Sequence, residues 1–198
     1  MPRDQIVAFS IFAVAAAVTP GPSNVLVLAT GARAGVVKGL PCLGGVVTGM
    51  ALLMTAAALG LGGVIRAYPP SLTVLRWGGS AFLLWLAWRV AAAPPMSARP
   101  GAEPVGFWNA LTFQWINPKS WIVCASAAGT FGAAGEASVF QRAIALGLIF
   151  AAAAAPSCGL WLVSGASMQR WLIDERRSRV FNVGMGLLLA GSVALVAL

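Results

Sequence analysis

Two short polar stretches interrupt an otherwise apolar chain of 198 residues: Thr19-Pro20-Gly21-Pro22-Ser23-Asn24, and Gln114 followed by Asn117-Pro118-Lys119. Proline has no N–H to donate, and its ring clashes with the carbonyl one turn earlier. Each stretch should therefore break a helix. In lipid, freed backbone groups survive only where protein or a water-filled cavity satisfies them. The breaks are expected to face inward. Their chemistry is binding rather than bond making: main-chain carbonyls and amides, short polar side chains and one amine. Pro22, Ser23 and Asn24 would start a second half-helix whose first amides point at the break, a small anion site built from backbone. Lys119 is the only ionisable side chain well inside an apolar run. An ammonium at the bilayer centre costs about 2.5 kcal/mol or more, so an intramembrane lysine is a functional-site hypothesis by default. Lys119 could pair with a substrate carboxylate, or lose its proton when the site empties. The bland alternative is a snorkelling lysine on a shorter span.

The elements that position these residues follow from composition. The chain is 59% hydrophobic and 9% charged, with a mean hydropathy of +0.85. Soluble domains carry about 25% charged residues. The bilayer is the expected solvent. The net charge of +8 reads as basic loops at a membrane surface and not as a nucleic-acid footprint. Apolar runs cover 5–30, 39–65, 72–93, 107–131, 138–167 and 179–198, each near the ~20 residues a transmembrane helix needs. The expected fold is an all-α integral membrane protein of six transmembrane helices, with helices 1 and 4 broken, in one membrane transport domain over 1–198. The separators "GARAGVVKG", "IRAYPPS", "RVAAAPPMSARPGAEPVG", "FGAAGEAS" and "QRWLIDERRSR" hold most of the charges. Pro94, Pro95, Pro100 and Pro104 mark a linker at 94–106. It divides the chain into three-span halves, 1–93 and 107–198. Each break falls in the first span of its half. Matched interruptions in two halves point to a transporter site at a repeat interface, and an odd span count inverts the second copy. Two inverted three-helix repeats are therefore expected.

Basic residues suggest orientation. Arg33, Lys38, Arg89, Arg99, Arg170, Arg176, Arg177 and Arg179 fall on one side, and Arg3, Arg66, Arg76 and Arg142 on the other. The positive-inside rule then places both termini away from the cytoplasm. Arg3 with the following "AVAAAV" imitates a cleavable signal, but the apolar sequence continues past the proline motif, and a retained first span is expected.

The residues at the breaks also carry a resemblance. "TPGPSNVLVLATGARAGVVKGL" resembles the N-terminal signature of the LysE/RhtB family of amino-acid exporters, and "FWNALTFQWINPKSWI" resembles that family's Asn-Pro-Lys motif. "LRWGGSAFLLWLAW" is similar to its third-span pattern. The likeness runs over the whole chain. It implies a bacterial inner-membrane (plasma-membrane), multi-pass translocator that exports amino acids or related metabolites, driven by the proton gradient as an antiporter and forming a homodimer.

The acids complicate proton coupling. Asp4, Glu103, Glu136, Asp174 and Glu175 lie at span ends or in loops, and there is no histidine. Where some family members carry an acid in the second span, this chain offers only Thr48. Asp4 folding inward, titration of Lys119 or absence of coupling would each resolve this. A missing acid argues against a cationic substrate. A neutral zwitterion fits better, its carboxylate at Lys119 and the half-helix N-termini, its amine on carbonyls at the breaks. The expected binding residues are Thr19, Pro20, Gly21, Pro22, Ser23, Asn24, Gln114, Asn117, Pro118 and Lys119.

No catalytic or metal site and no cofactor is expected. Without histidine or a buried acid, hydrolytic and metal chemistry have no support. Cys42, Cys124 and Cys158 lack paired or metal spacing and read as inert buried thiols. Gly31, Gly35 and Gly39, and separately Gly45 and Gly49, are spaced at four-residue steps that let helices approach closely. Most tryptophans suit interfacial belts, while Trp115 and Trp121 flank the second break. Pro156 with Ser157 predicts a kink, and Pro41 is assigned to the harmless first turn of span 2. A non-catalytic membrane assembly protein and a passive small-solute channel are the alternatives to a transporter.

Overall fold

The computed structural model describes residues 1–61, 63, 67, 69–95, 103–132 and 138–193. Arg66, Arg99, Pro100, Glu136 and residues 96–102 of the expected linker lie outside them. The described residues form seven α-helices and no strand: α1 (Arg3–Val18), α2 (Pro22–Ala56), α3 (Pro69–Ala91), α4 (Phe107–Ile116), α5 (Pro118–Phe131), α6 (Val139–Ser167) and α7 (Glu175–Ser192). A π-helical turn, Ala57–Leu61, extends α2, and a short 3-10 turn, Trp171–Ile173, precedes α7.

The prolines end helices where expected. Thr19 N–H makes the last bond of α1, to the Ala15 carbonyl at 3.1 Å. Pro22 then occupies the first position of α2, where a missing N–H costs nothing. The two pieces stay in line along α6. Phe9 stacks near Phe150 at 6.4 Å, Asn24 lies by Cys158, and Gly31 faces the Leu162 carbonyl. Together α1 and the start of α2 form one interrupted rod. A second rod forms the same way, because Pro118 opens α5 directly after α4. It lies along the later part of α2, with Gly45 facing the Phe107 carbonyl and Cys124 in one cluster with Leu53 and Met54. The rods run antiparallel: Ser23 meets Gln114, Lys119 meets Thr19, and Phe9 meets Phe131, their ring centroids 5.2 Å apart.

The expected first separator contains no loop. Helix α2 runs through "GARAGVVKG" and reverses at a single residue, Gly35, whose φ of 79° and ψ of -179° are non-helical. The reversal is evident from Thr30, whose hydroxyl donates to Cys42 Sγ at 3.6 Å. In a straight helix, residues twelve apart would be about 18 Å apart. Gly35 is thus a turn, whereas Gly31 and Gly165 permit close approach: each faces a main-chain carbonyl across the α2–α6 contact, of Leu162 and Leu28 respectively. Pro41 is also displaced from its expected place. It lies inside the helix, because the turn comes at Gly35 and Pro41 falls in the second turn after it.

Helix α6 begins with a capping box. Ser138 Oγ accepts from Gln141 N at 3.2 Å, and Gln141 Oε1 accepts from Ser138 N at 3.3 Å. It runs unbroken through Pro156, with Ser157 Oγ donating to the Ala153 carbonyl at 3.0 Å. Helices α3 and α7 pack on each other and on the rods. Gly79 of α3 faces Pro118, while Met185 and Leu189 of α7 join Val25 and Leu28. Phe9 and Ala13 are fully buried in the main core, so α1 belongs to the packed body. Large apolar side chains cover the outside, including Val37, Trp77, Trp88, Trp108 and Leu187, as expected where lipid is the solvent. Among the described residues, two helical stretches are long and apolar enough to cross a membrane, Pro22–Leu61 and Val139–Ser167. The pieces α1, α4 and α5 fall short of 18 residues because the breaks cut them.

The Gly35 backbone lies where only glycine rests without strain, so Gly35→Ala should lower stability by about 1–3 kcal/mol. A Cβ at Gly44 would meet Phe107 only at ordinary contact distance, and Gly44→Ala, within the helix, should not lower stability. Thermal unfolding in detergent, followed by circular dichroism, measures both.

Candidate functional site

The site is best built from the main-chain groups that the first break leaves without helical partners. The Ala15 carbonyl accepts from the Thr19 N–H at 3.1 Å and from its hydroxyl at 2.6 Å. Asn24 Nδ2 donates backward to the carbonyls of Ala17 at 2.9 Å and Thr19 at 3.0 Å. Lys119 Nζ arrives from the other rod and donates to Thr19 O at 2.7 Å and Pro20 O at 3.1 Å. The lysine stem passes directly over Gly21. A Cβ there would lie 2.8 Å from Lys119 Cδ and 2.9 Å from Nζ, so a larger residue would push the lysine stem aside.

The second break is closed differently. Asn117 caps α5, its Oδ1 accepting from Lys119 N at 3.1 Å. Trp121 Nε1 donates to the Trp115 carbonyl at 2.7 Å, and the two indoles meet edge to face at 6.0 Å. The two half-helix N-termini are therefore not equivalent. Helix α5 is capped by its own Asn117, whereas α2 begins at Gly21 with no side-chain cap.

A buried polar cluster ties the breaks together. Ser23 Oγ donates to Gln114 Oε1 at 2.8 Å, Ser120 Oγ donates to the same oxygen at 3.1 Å, and Asn117 Nδ2 donates to Ser23 Oγ at 3.0 Å. Gln114 completes its pairing by donating from Nε2 to the Ala110 carbonyl at 3.2 Å. A fully satisfied buried network rigidifies its surroundings.

Between the rods lies a cavity of about 40 Å³. It has room for a water or two, not for an amino acid, so the arrangement is closed. Gly21, Ser23, Asn24, Asn117 and Lys119 line it, and among the described residues no carboxylate does. Thr19 and Pro20 offer it their carbonyls through Lys119. The remaining sequence-derived residues stand behind the wall: Gln114 is fully buried, Pro118 rests against Gly79, and Pro22 faces a different cavity. Asp4 stays exposed in the first turn of α1 and does not fold inward. Thr48 does not line the cavity.

Ser120, Met50, Phe150 and Cys158 also line it, and sequence reasoning missed them as site residues. Ser120 had a signal, since it lies three positions past Asn117 and shares its helix face. Cys158 sits two residues past Pro156, with Sγ 3.8 Å from Asn24 Oδ1. All three cysteines are buried and free. Met50 and Phe150 had no signal, because only packing decides which apolar residues face the gap.

Comparison with known proteins adds a family to this geometry. The family profile described as LysE type translocator matches residues 14–198. A cysteine/O-acetylserine efflux protein of Klebsiella pneumoniae is 35% identical over 126 residues, 64% of each chain. Proteins of the same name are 28% identical over 183 residues in Salmonella paratyphi A and 26% identical over 182 residues in Escherichia coli K12, each covering 92% of both chains. No solved structure matches.

Gln114→Leu removes the shared acceptor of two buried hydroxyls. The expected loss is about 1–3 kcal/mol, read as a lower unfolding midpoint in detergent. An unchanged midpoint would show that the cluster does not hold the breaks together.

Proposed function

The chain belongs to the LysE type translocator family, whose members are transport proteins and not enzymes, and on that footing we propose that it exports a small neutral amino acid or amino-acid-like metabolite. The observation that carries this reading is the reach of Lys119 Nζ across the gap to the Thr19 and Pro20 carbonyls. Those carbonyls already hold an ammonium, so they suit the ammonium of a substrate. The incoming amine displaces Lys119, and the released lysine turns to the substrate carboxylate. The uncapped start of α2 at Gly21 supplies the other half of the anion site. A zwitterion satisfies both ends at once, whereas a bare cation would meet Lys119 unscreened.

The relatives named for cysteine and O-acetylserine efflux point to a short polar group on the β-carbon. Met50, Phe150, Ala154 and Cys158 offer it a soft, mostly apolar wall. The closed gap of about 40 Å³ must widen to admit substrate, and we read it as the occluded stage of alternating access. Two antiparallel broken rods are what an inverted pair of three-helix repeats would place at its interface. Within this reading the protein is a proton-coupled antiporter of the bacterial inner membrane, with both termini periplasmic, acting as a homodimer. With Asp4 exposed and no carboxylate in the lining, Lys119 is the group assigned to proton coupling.

Cells expressing the chain, fed dipeptides and assayed for amino acids in the medium, should accumulate small neutral ones outside. A flat panel would remove the exporter reading. Lys119→Ala should insert normally yet export about tenfold less or worse, since hydrogen bonds to a charged group are worth about 1.5–3 kcal/mol. Full export by that variant would reduce the lysine to scaffold.

A further inference from the structure

A second cavity, about 270 Å³, lies on the far side of the first break, between α2, α3, α4 and α7. Its polar end is formed by Arg33, Arg89 and Asn182, and among the described residues no carboxylate lines it. Arg33 closes the first part of α2 just before the Gly35 turn, and Arg89 stands in the last turn of α3. Asn182 Nδ2 donates to the Ala93 carbonyl at 3.0 Å, which ties the rim of α7 to the end of α3. Both arginines are exposed, and the Arg89 guanidinium lies 5.5 Å from the centroid of the Trp85 ring. The opposite end is apolar, formed by Pro22, Val25, Phe113 and Met185.

The shape of this slot is amphipathic along its length. Arg33 and Pro22 are eleven residues apart on one helical segment, or about 16 Å. That is about half the ~30 Å hydrocarbon core of a bilayer. A cationic rim at interface level above a one-leaflet-deep apolar slot matches a phospholipid, with the phosphate at the rim and an acyl chain below. A small amino acid would leave the deep apolar end unfilled.

We propose that this slot is a binding site for one anionic phospholipid, whose phosphate pairs with Arg33 and Arg89 and whose acyl chain runs between α2, α3 and α7 to Pro22. Basic pockets between transmembrane helices recognise anionic headgroups through the same charge complementarity. Pro22 walls both the slot and the break, so the seated chain braces the outer side of the first rod. The inference stands on the slot alone and does not depend on the transport reading.

The test is lipid retention by the full chain purified in detergent, measured by native mass spectrometry with added phosphatidylglycerol or phosphatidylcholine. Phosphatidylglycerol should be retained preferentially, and retention should fall about fivefold for each arginine removed in Arg33→Gln and Arg89→Gln. The charge-conserving pair Arg33→Lys and Arg89→Lys should keep most of it, which separates lost charge from lost fold. Ala29→Leu, which fills the slot and leaves both arginines in place, should also reduce retention. Equal retention of the two lipids, or undiminished phosphatidylglycerol on the double glutamine variant, would overturn the proposal. So would displacement of the lipid by free cysteine or glycerol phosphate, which would make the slot a chamber for soluble anions.

Discussion

The centre of this structure is one ammonium group held by main-chain carbonyls. Lys119 Nζ lies between the Thr19 and Pro20 oxygens, beside neutral polar side chains and, among the described residues, with no carboxylate in the cavity walls. Carbonyl dipoles are a weak substitute for a counter-ion, and they are available only because the helix is broken there. Remove the break and Lys119 loses its partners. Remove Lys119 and the Pro20 carbonyl loses the ammonium it accepts from, while the Thr19 carbonyl keeps the Asn24 amide. The break and the charge therefore justify one another.

The remaining hydrogen bonds extend that logic. A broken helix in lipid needs partners for its freed groups, and this chain draws them from a few side chains at short range. Asn24 folds back on the end of α1, Asn117 caps α5, and Trp121 covers the Trp115 carbonyl. Gln114, Ser23 and Ser120 then stitch one rod to the other. Of the two half-helix starts at the breaks, that of α2 has no side-chain cap, and it opens on the same cavity as the lysine. That asymmetry is what the proposed binding of a zwitterion rests on.

Close packing sets how tightly the rods are held. Gly31 and Gly165 bring α2 and α6 within reach of each other's backbone, and Gly79 lets α3 settle on Pro118. Small residues do this work in lipid, where apolar area gains nothing by leaving the solvent. The same economy leaves bulky side chains outside, against acyl chains, and leaves a slot at Pro22 with an arginine rim.

Much was legible in the residues themselves. Composition named the solvent, because charge density is a property of the chain and not of its fold. The prolines named both breaks, because a missing N–H acts locally. That Lys119 needs a partner also followed from its surroundings in sequence. What the sequence left open was every distance between rods. The separator around Gly35 foretold a reversal there; that a single residue of positive φ makes it is seen only in the structure. The two half-helix starts already differ in sequence, since Asn117 precedes its proline and Asn24 follows its own; that only the start of α2 is left uncapped is seen in the structure. Which carbonyls would receive the lysine, and which of many apolar residues would wall the gap, depended on contacts about a hundred positions apart. Local bonding rules act over one helical turn; the meeting of two rods is a property of the packed whole.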